Sequence, residues 1–124
     1  MPSATKIVLV TTCYNNLQEC RRTVASVVRQ SLHPDRYLLV DSSIPETSQM
    51  VAQLAAQAGA EYLWVPPEGV YAAMNRSLEG LPDDALVWFI NSSDWLASPK
   101  SVETVAAHIF REKASSRSWF IGTT

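Results

Sequence analysis

The sequence predicts an α/β fold in which a mostly parallel, open sheet of about five strands is flanked by helices. Apolar runs of strand length alternate with runs whose apolar residues recur at helical spacing, which is typical of a parallel sheet with crossover helices. With 47% hydrophobic and 18% charged residues, a chain of 124 residues suits one globular domain with one core. No repeat, linker or low-complexity segment divides it, so we expect a single domain over residues 1–124.

Three strands and two helices are predicted in the first half of the chain. The strands are apolar runs, and they are Lys6–Thr12, Tyr37–Val40 and Glu61–Val65. Each helix carries its apolar residues on one face. This stripe consists of Leu17, Cys20, Val24, Val27 and Val28 in the first helix, and of Met50, Val51, Leu54, Ala55 and Ala58 in the second. Gly59 is expected to end the second helix, because glycine readily adopts the left-handed conformation found there.

Two further strands and two further helices are predicted in the second half. Pro66 and Pro67 end the third strand, and a short helix follows with the stripe Val70, Tyr71, Met74 and Leu78. After a turn at 80–84, the apolar run 85–90 predicts the fourth strand. The last helix runs from Pro99 to Glu112, with Ser98 as its N-cap and Val102, Val105, Ala106 and Ile109 facing inward. Trp119–Gly122 is predicted to be the last strand.

The end of the fourth strand is the most informative segment. Six apolar residues at 85–90 are followed by Asn91, Ser92, Ser93 and Asp94. In an open α/β sheet, ligands bind at the carboxyl ends of the strands, so Asp94 is positioned to hold a cation against an anionic ligand. The alternative is that Asp94 caps a turn, because Asn, Ser and Asp are ordinary turn residues.

Composition argues against several classes of function. A net charge of -2 and a pI near 5.6 do not suit a nucleic-acid-binding protein. No apolar run is long enough for a transmembrane segment, and the first residues do not resemble a signal peptide, so a cytoplasmic location is expected. Cys13 and Cys20 match no zinc or redox spacing and are interpreted as reduced packing thiols. His33 and His108 have no second ligand at helical spacing, which argues against metal binding by either.

The sequence also lacks the common nucleotide-binding motifs. It contains neither the G-x-G-x-x-G fingerprint nor a P-loop, and the clustered acids and lysine of a phosphoacceptor site like that of response regulators are missing. Polar residues instead follow successive strands. They are Thr12, Tyr14 and Asn15 after the first strand, Asp41 after the second, and Asn91–Asp94 after the fourth.

These strand-end residues, together with a helix motif, resemble glycosyltransferase family 2. The first strand ends in a Thr-x-Tyr-Asn motif, and Gly69–Arg76 is similar to the G-[IV]-Y-x-A-M-N-[KR] helix of that family. Trp88–Asp94 is similar to the family's F-[LI]-N-[SA]-x-D turn. The resemblance implies a Rossmann-like fold of the GT-A type and binding of a nucleotide-diphosphate sugar, with a UDP-sugar expected.

The resemblance also implies roles for individual residues. Tyr14 offers a flat face on which a base can stack, and Thr12 would lie beside the base or ribose. Asp41 would accept a hydrogen bond from a base N–H, although it could instead cap the helix that begins near Pro45. The remaining candidate donor-binding residues are Asn75, Asn91, Ser93 and Asp94.

A divalent cation, Mg²⁺ or Mn²⁺, is implied by the resemblance of Asp94 to the last acid of the family's D-x-D motif. Diphosphate and water oxygens can supply most of about six ligands, so one carboxylate can suffice. Asn91 and Ser93 stand where many relatives have acids, and Met74 stands where other branches have an arginine. Asp94 is therefore the single charged candidate for the metal.

The part of the family that binds the saccharide or lipid acceptor has no counterpart in the sequence. Inverting transfer needs a carboxylate base, and Glu103 and Glu112 are interpreted as solvated helix charges, so no catalytic residue is assigned. We expect an enzyme related to family 2 whose donor-binding part, alone, transfers no sugar. An open strand edge beside Asn91 predicts a homodimer, and a peripheral position at the inner face of the membrane is compatible with a lipid acceptor. The alternative is a noncatalytic α/β interaction module.

Overall fold

A computed structural model of the chain describes residues 6–92, 94–112 and 120–121. They form a parallel sheet with helices on both faces. The strands are β1 (Ile7–Cys13), β2 (Arg36–Asp41), β3 (Glu61–Trp64), β4 (Leu86–Phe89) and β5 (Phe120–Ile121). The helices are α1 (Leu17–Val28), α2 (Pro45–Ala58), α3 (Val70–Leu78) and α4 (Ser101–Glu112). The predicted α/β class and open parallel sheet are confirmed.

The strand order β3-β2-β1-β4-β5 puts β1 at the centre of the sheet. From β1 the chain moves outward to β2 and β3, and it then returns to place β4 on the other side of β1. This reversal between β1 and β4 is the position at which open α/β sheets form a crevice at their carboxyl ends. The fold alone therefore indicates where a ligand site should be sought.

The two faces of the sheet have separate apolar cores. On one face, Leu9 and Cys13 pack with buried residues of α1, α2 and α4. On the other face, Val8 and Val10 pack with Ala73 of α3. Because successive side chains of a strand point to opposite faces, the uninterrupted apolar sequence of β1 serves both cores.

The apolar stripes of the first two helices were predicted with one error each. In α1, Cys20, Val24 and Val27 are buried, whereas Val28 is exposed. In α2, Val51 and Ala55 are buried and Met50 is exposed. Gly59 ends α2 in the left-handed conformation, as predicted, with φ of 71°. In α1 the burial of Thr23 and Ser26 rotates the inward face away from Val28.

The faces of the last two helices also differ in part from the prediction. In α3 the exposed residues are Val70 and Tyr71, while Ala73 is buried. The predicted start of α4 at Pro99 is wrong, because the helix begins at Ser101. Ser98 Oγ accepts the Lys100 N–H at 3.1 Å and so caps the preceding turn. Val102 and Ala106 are buried as predicted, and the side chain of Ile109 lies outside the described residues.

Strand β5 pairs with β4 in parallel, with Trp88 opposite Phe120 and Phe89 opposite Ile121. The last strand was therefore predicted correctly, although Trp119 and Gly122 lie outside the described residues. The edge beside β4, which was expected to be open, is therefore paired at two of the strand's four residues.

Candidate functional site

A cavity of about 410 Å³ lies at the carboxyl edge of the sheet, at the reversal between β1 and β4. It is lined by the ends of β1, β2 and β4 and by the first turn of α3. The lining residues are Thr12, Cys13, Tyr14, Asn16, Ser42, Pro67, Gly69, Val70, Ala73, Asn91 and Ser92. Thr12, Tyr14 and Asn91 of the predicted site are thus brought together.

Hydrogen bonds hold the ends of β1 and β4 together beneath the cavity. Thr12 Oγ1 donates to Asn91 Oδ1 at 2.8 Å, and the Ser92 N–H donates to the Thr12 carbonyl at 3.1 Å. Thr12 and Asn91 therefore fix each other as well as facing the cavity.

Asn16, which the sequence analysis did not select, links the cavity walls. Its Oδ1 accepts hydrogen bonds from the Tyr14 N–H and from the Cys13 thiol, both at 3.1 Å. Its Nδ2 donates to Ser92 Oγ on the β4 side. Asn16 directly follows the Thr-x-Tyr-Asn motif. Its polar side chain just before the first predicted helix was the sequence signal that could have identified it.

Asn15 joins the loops that follow β1 and β2. Its backbone has a positive φ of 52°, which asparagine tolerates better than most residues. The Asn15 N–H donates to Ser43 Oγ at 2.8 Å, and Asn15 Oδ1 accepts the Ile44 N–H at 2.9 Å. These contacts fix the residue that directly follows Tyr14, whose side chain is 60% exposed.

Asp41 does not line the cavity and is completely buried. Its Oδ1 accepts the Ser43 N–H at 3.1 Å and the Ser43 hydroxyl at 2.6 Å, and its Oδ2 accepts the Tyr62 hydroxyl at 2.7 Å. Burial raises the pKa of Tyr62, and the bond to Asp41 raises it further. Asp41 therefore belongs to an internal hydrogen-bond network, and its contact with a base stays a prediction. Ile44, not Asp41, is the N-cap of α2.

Asn75 is exposed on α3 and lies outside the cavity lining, so its contact with a donor also stays a prediction. The helix instead reaches the cavity through Gly69, Val70 and Ala73. Gly69 has a φ of 102°, a conformation that glycine adopts without strain. The family motif was correctly predicted to be a helix. The start of that helix, and not its middle, borders the cavity.

Asp94 is exposed and does not belong to the cavity lining, although its N–H donates to the Asn91 carbonyl at 2.9 Å. Ser93 lies outside the described residues. Within residues 6–92, 94–112 and 120–121, no group of three or more His, Cys, Asp or Glu side chains could hold a metal ion. A cation at Asp94 would need most of its ligands from a bound molecule.

Cys13 and Cys20 are both buried free thiols. A hydrogen bond from the Cys20 thiol lowers the pKa of Cys13, and the same bond raises the pKa of Cys20. Only Cys13 borders the cavity. The two thiols therefore differ in both acidity and access.

No charged side chain lines the cavity among the residues that the structure describes. Arg76, on α3, is paired with Glu79 at 3.5 Å. Two helices, α1 and α3, instead begin at the cavity without a side-chain hydrogen bond at the N-cap. Free N–H groups at helix N-termini attract anions. The first turn of α3 contains no acidic residue, whereas that of α1 contains Glu19, so the α3 end is the more positive of the two.

The sequence model of glycosyl transferase family 2 matches residues 8–117. The chain belongs to this family. The resemblance expected from the motifs is thereby confirmed over nearly the whole chain. No curated protein is significantly similar to this family 2 chain in sequence.

Solved structures with the same fold include TarS of S. aureus. The full TarS structure and the structure of its residues 1–349 each match with a TM-score of 0.73 and 19% identity over 88% of the family 2 chain. A structure of TarS 1–349 in complex with UDP matches with a TM-score of 0.68. The chain spans 20% of the full TarS structure and 33% of the 1–349 structures.

The described part of the chain contains no helix with the length and hydropathy needed to cross a membrane.

Proposed function

We propose that this chain is the donor-binding part of an inverting glycosyltransferase and that it binds a nucleotide-diphosphate sugar, with UDP as the nucleotide. The observation that carries the proposal is the cavity at the reversal between β1 and β4, lined by Tyr14 and the polar strand ends of a family 2 chain. The UDP complex of TarS, which shares the fold, supports the choice of UDP.

The base would stack on Tyr14. This ring is exposed, borders the cavity, and is supported at its backbone by Asn15 and Asn16. Stacking of a base on an aromatic ring contributes about 1–3 kcal/mol. Because Asp41 is internal, the base would gain no charged hydrogen bond from it, and we expect a Kd weaker than about 1 μM.

The diphosphate would lie between the N-termini of α1 and α3, whose free N–H groups attract anions. Mg²⁺ or Mn²⁺ would be held only as part of a ternary complex, because no carboxylate lines the cavity among the described residues and most ligands would be diphosphate and water oxygens, with Asp94 as the proposed protein ligand. When bound, such a cation would neutralise the departing diphosphate. We therefore expect metal to raise affinity for UDP and to bind weakly without it.

Transfer to an acceptor would need a base that can reach the acceptor hydroxyl. Among the described residues no carboxylate lines the cavity, and Glu103 on α4 is exposed and bonded to the Ser31 hydroxyl at 3.1 Å. We propose that residues 1–124 bind the donor but do not transfer its sugar to a saccharide or lipid acceptor. An assay for release of UDP from UDP-sugars in the presence of acceptors would contradict this if turnover is found.

Calorimetric titration with UDP, GDP and dTDP, with and without Mn²⁺, tests the proposed donor site. Tyr14→Ala should weaken UDP binding by about 5- to 100-fold, which corresponds to the loss of stacking, whereas Tyr14→Phe keeps the ring and should change it little. Tyr71→Ala is the matched control, because Tyr71 is a more exposed tyrosine outside the cavity lining. Absence of binding by every nucleotide would refute the proposal.

The second candidate is a noncatalytic interaction module. It is favoured by one observation, the lack of charged side chains among the described residues of the cavity lining. The same titration separates the two, since a module of this kind would give no metal-dependent heat with any nucleotide.

A further inference from the structure

Asn16 stands at the N-cap of α1, but its side chain does not cap the helix. The Asn16 carbonyl accepts the Cys20 N–H at 3.0 Å, which begins the helix. The side chain makes no hydrogen bond to the first turn, residues 17–20, all of which the structure describes. Asparagine is a preferred N-cap residue because its side-chain oxygen usually accepts a free N–H of that turn. Asn16 forgoes this stabilisation, so the direction of its side chain has another cause.

The side-chain oxygen of Asn16 is bonded to the loop that follows β1. Asn16 Oδ1 accepts the Tyr14 N–H and the Cys13 thiol, both at 3.1 Å. An amide oxygen has two lone pairs, so both are in use. Cys13 and Tyr14 line the cavity, and Asn16 therefore holds the backbone that carries the Tyr14 ring.

The side-chain nitrogen of Asn16 fixes the same loop to the end of β4. Asn16 Nδ2 donates to the hydroxyl of Ser92, which is buried and also lines the cavity. The Ser92 N–H in turn donates to the Thr12 carbonyl at 3.1 Å. The ends of β1 and β4 are thus joined by the side chain of Asn16 as well as by their backbones.

The conformation of Tyr14 depends on these backbone contacts. Its side chain is mostly exposed, so packing restrains the ring weakly. Asn15, the next residue, is fixed by Ser43 and Ile44, and Asn16 fixes the N–H of Tyr14 itself. A surface that already has its bound conformation loses less entropy when a ligand binds. Asn16 is therefore expected to strengthen the stacking of a base on the ring.

We propose that Asn16 is a positioning residue for the donor base: its side chain fixes the loop that carries Tyr14 to the end of β4, so that the ring is preorganised for stacking. This inference rests on the proposed function. Asn16 acts through Tyr14 and is assigned no contact with the nucleotide. A direct bond from the second proton of Asn16 Nδ2 to the nucleotide is the competing explanation, and the test includes it.

The first measurement is the UDP affinity of the 124-residue chain and two variants by calorimetry. Asn16→Ala removes all three side-chain bonds and should lower UDP affinity about 3- to 10-fold. Gln30→Leu is the control for general stability. Gln30 is buried outside the cavity lining and bonds to the Ser98 carbonyl at 2.8 Å and the Val102 N–H at 2.9 Å. This variant should lower the melting temperature and leave UDP affinity unchanged.

A double-mutant cycle with Tyr14→Ala separates positioning from direct contact. If Asn16 acts through the ring, Asn16→Ala should lower UDP affinity less than twofold once the ring is absent. NMR titration measures these weak affinities. A loss as large as in the wild-type background would show that Asn16 does not act through Tyr14, and it would overturn the inference.

Conservative variants provide the rescue. Asn16→Asp keeps oxygen acceptors for the Tyr14 N–H and the Cys13 thiol, and the Ser92 hydroxyl can turn to donate to it. Uridine is the probe for this variant, because a neutral nucleoside avoids repulsion between the new carboxylate and a diphosphate. Asn16→Asp should bind uridine nearly as well as the wild-type chain does, and a loss equal to that of Asn16→Ala would count against the proposed bonds.

A serine separates stability from affinity, and it replaces alanine if Asn16→Ala does not fold. Asn16→Ser can cap α1 but is too short to keep the bonds of the amide, so it should preserve the melting temperature and still lower UDP affinity. Unchanged affinity in this variant would contradict the inference.

A wild-type chain that binds no nucleotide refutes the proposed function and this inference together. A wild-type chain that binds UDP, with an Asn16→Ala variant that binds it equally well, refutes this inference alone.

Discussion

Asp41 is a completely buried carboxylate whose partners are the Ser43 N–H and hydroxyl and the Tyr62 hydroxyl. Burial of a carboxylate is tolerated only where hydrogen bonds replace water. The Asp41 network also supports Ser43, which holds Asn15 beside Tyr14. Asp41, which was predicted to contact a ligand, thus supports through Ser43 the loop that carries Tyr14.

Replacement of Asp41 should reveal this internal role. Asp41→Ala removes the acceptor of three donors and should lower the free energy of unfolding by about 2–4 kcal/mol. In Asp41→Asn the amide oxygen can still accept from Ser43, and the amide N–H can donate to the Tyr62 hydroxyl. The loss of unfolding free energy should therefore be less than half that of Asp41→Ala. Chemical denaturation measures both, and equal losses for the two variants would contradict the network.

Cys13 should be the more reactive of the two thiols. The Cys20 thiol lowers the pKa of Cys13, so its thiolate forms at a lower pH than that of an ordinary cysteine, and alkylation should rise with pH through that lower range. Mass spectrometry after treatment with iodoacetamide should find Cys13 modified first, slowly because it is buried. UDP should protect Cys13, which borders the cavity.

Variants check the assignment of the reactive thiol. Cys20→Ala removes the donated hydrogen bond, so the pKa of Cys13 should rise and alkylation at neutral pH should slow. Cys13→Ser should abolish the early modification. Preferential labelling of Cys20 in the wild-type chain would be inconsistent with both the acidity and the access described for Cys13.

At the scale of elements, the first turn of α3 depends on Gly69. Gly69 and Gly80 both have positive φ, 102° and 80°, and a Cβ at either would meet no heavy atom within 4 Å. The cost of Gly69→Ala or Gly80→Ala is therefore one of backbone conformation, about 1–3 kcal/mol. Both should lower the melting temperature to a similar extent.

Only Gly69→Ala should also weaken UDP binding, because Gly69 borders the cavity and precedes the free N–H groups of α3. Gly80 follows α3 at its far end and serves as the matched control. Calorimetric titration with UDP measures both variants. An equal loss of UDP affinity would show that the first turn of α3 does not contact the nucleotide.

Much of the element order could be predicted because apolar runs and helical spacing are local signals. Thr12 at the end of the first strand and Asn91 after the fourth were placed at one edge of the sheet for the same reason, since parallel strands share their direction. The burial of the polar residues Thr23, Ser26 and Gln30 could not be predicted, because polar residues on a helix look solvent-exposed until their partners are known. Those partners are 68 to 72 residues away in the chain.

Asp41 and Asn75, two of the predicted donor-binding residues, lie outside the cavity lining, and their contacts with a donor stay predictions. A motif indicates that a residue lies near a site, but a shift of one residue on a strand reverses the face to which a side chain points. Ser42, the neighbour of Asp41, lines the cavity, and Ala73 does so in α3. Local sequence therefore predicted residues within one or two positions of the cavity lining but did not determine which side chains face the cavity.

At the scale of the whole molecule, the homodimer remains a prediction with a changed location. Strand β5 pairs with two residues of β4, so the edge beside β4 is partly occupied. At the other edge, β3 is four residues long, carries Glu61, and is followed by Pro66 and Pro67. Such features weaken pairing at this edge, so a dimer through β3 should form only at high concentration.

Light scattering over a range of concentrations tests the oligomeric state. If a dimer forms through β3, Tyr62→Lys would also remove the Asp41 bond and Leu63→Lys would also disturb the apolar core. Trp64 is exposed, so Trp64→Lys adds charge to that edge and loses only the bond of the ring N–H to the Ser43 carbonyl. We expect it to lower the dimer fraction, and a constant monomer mass at high concentration would contradict the homodimer.

Strand β1 is buried along all seven of its residues and contributes to both cores. Neither core can open without exposing the central strand, so the backbone amides of β1 should exchange with deuterium only when the entire domain unfolds. The end of β1 that lines the cavity would then stay protected from exchange for as long as the domain is folded. A ligand bound in the cavity should therefore slow amide exchange chiefly in the loop residues that line it, and little in β1.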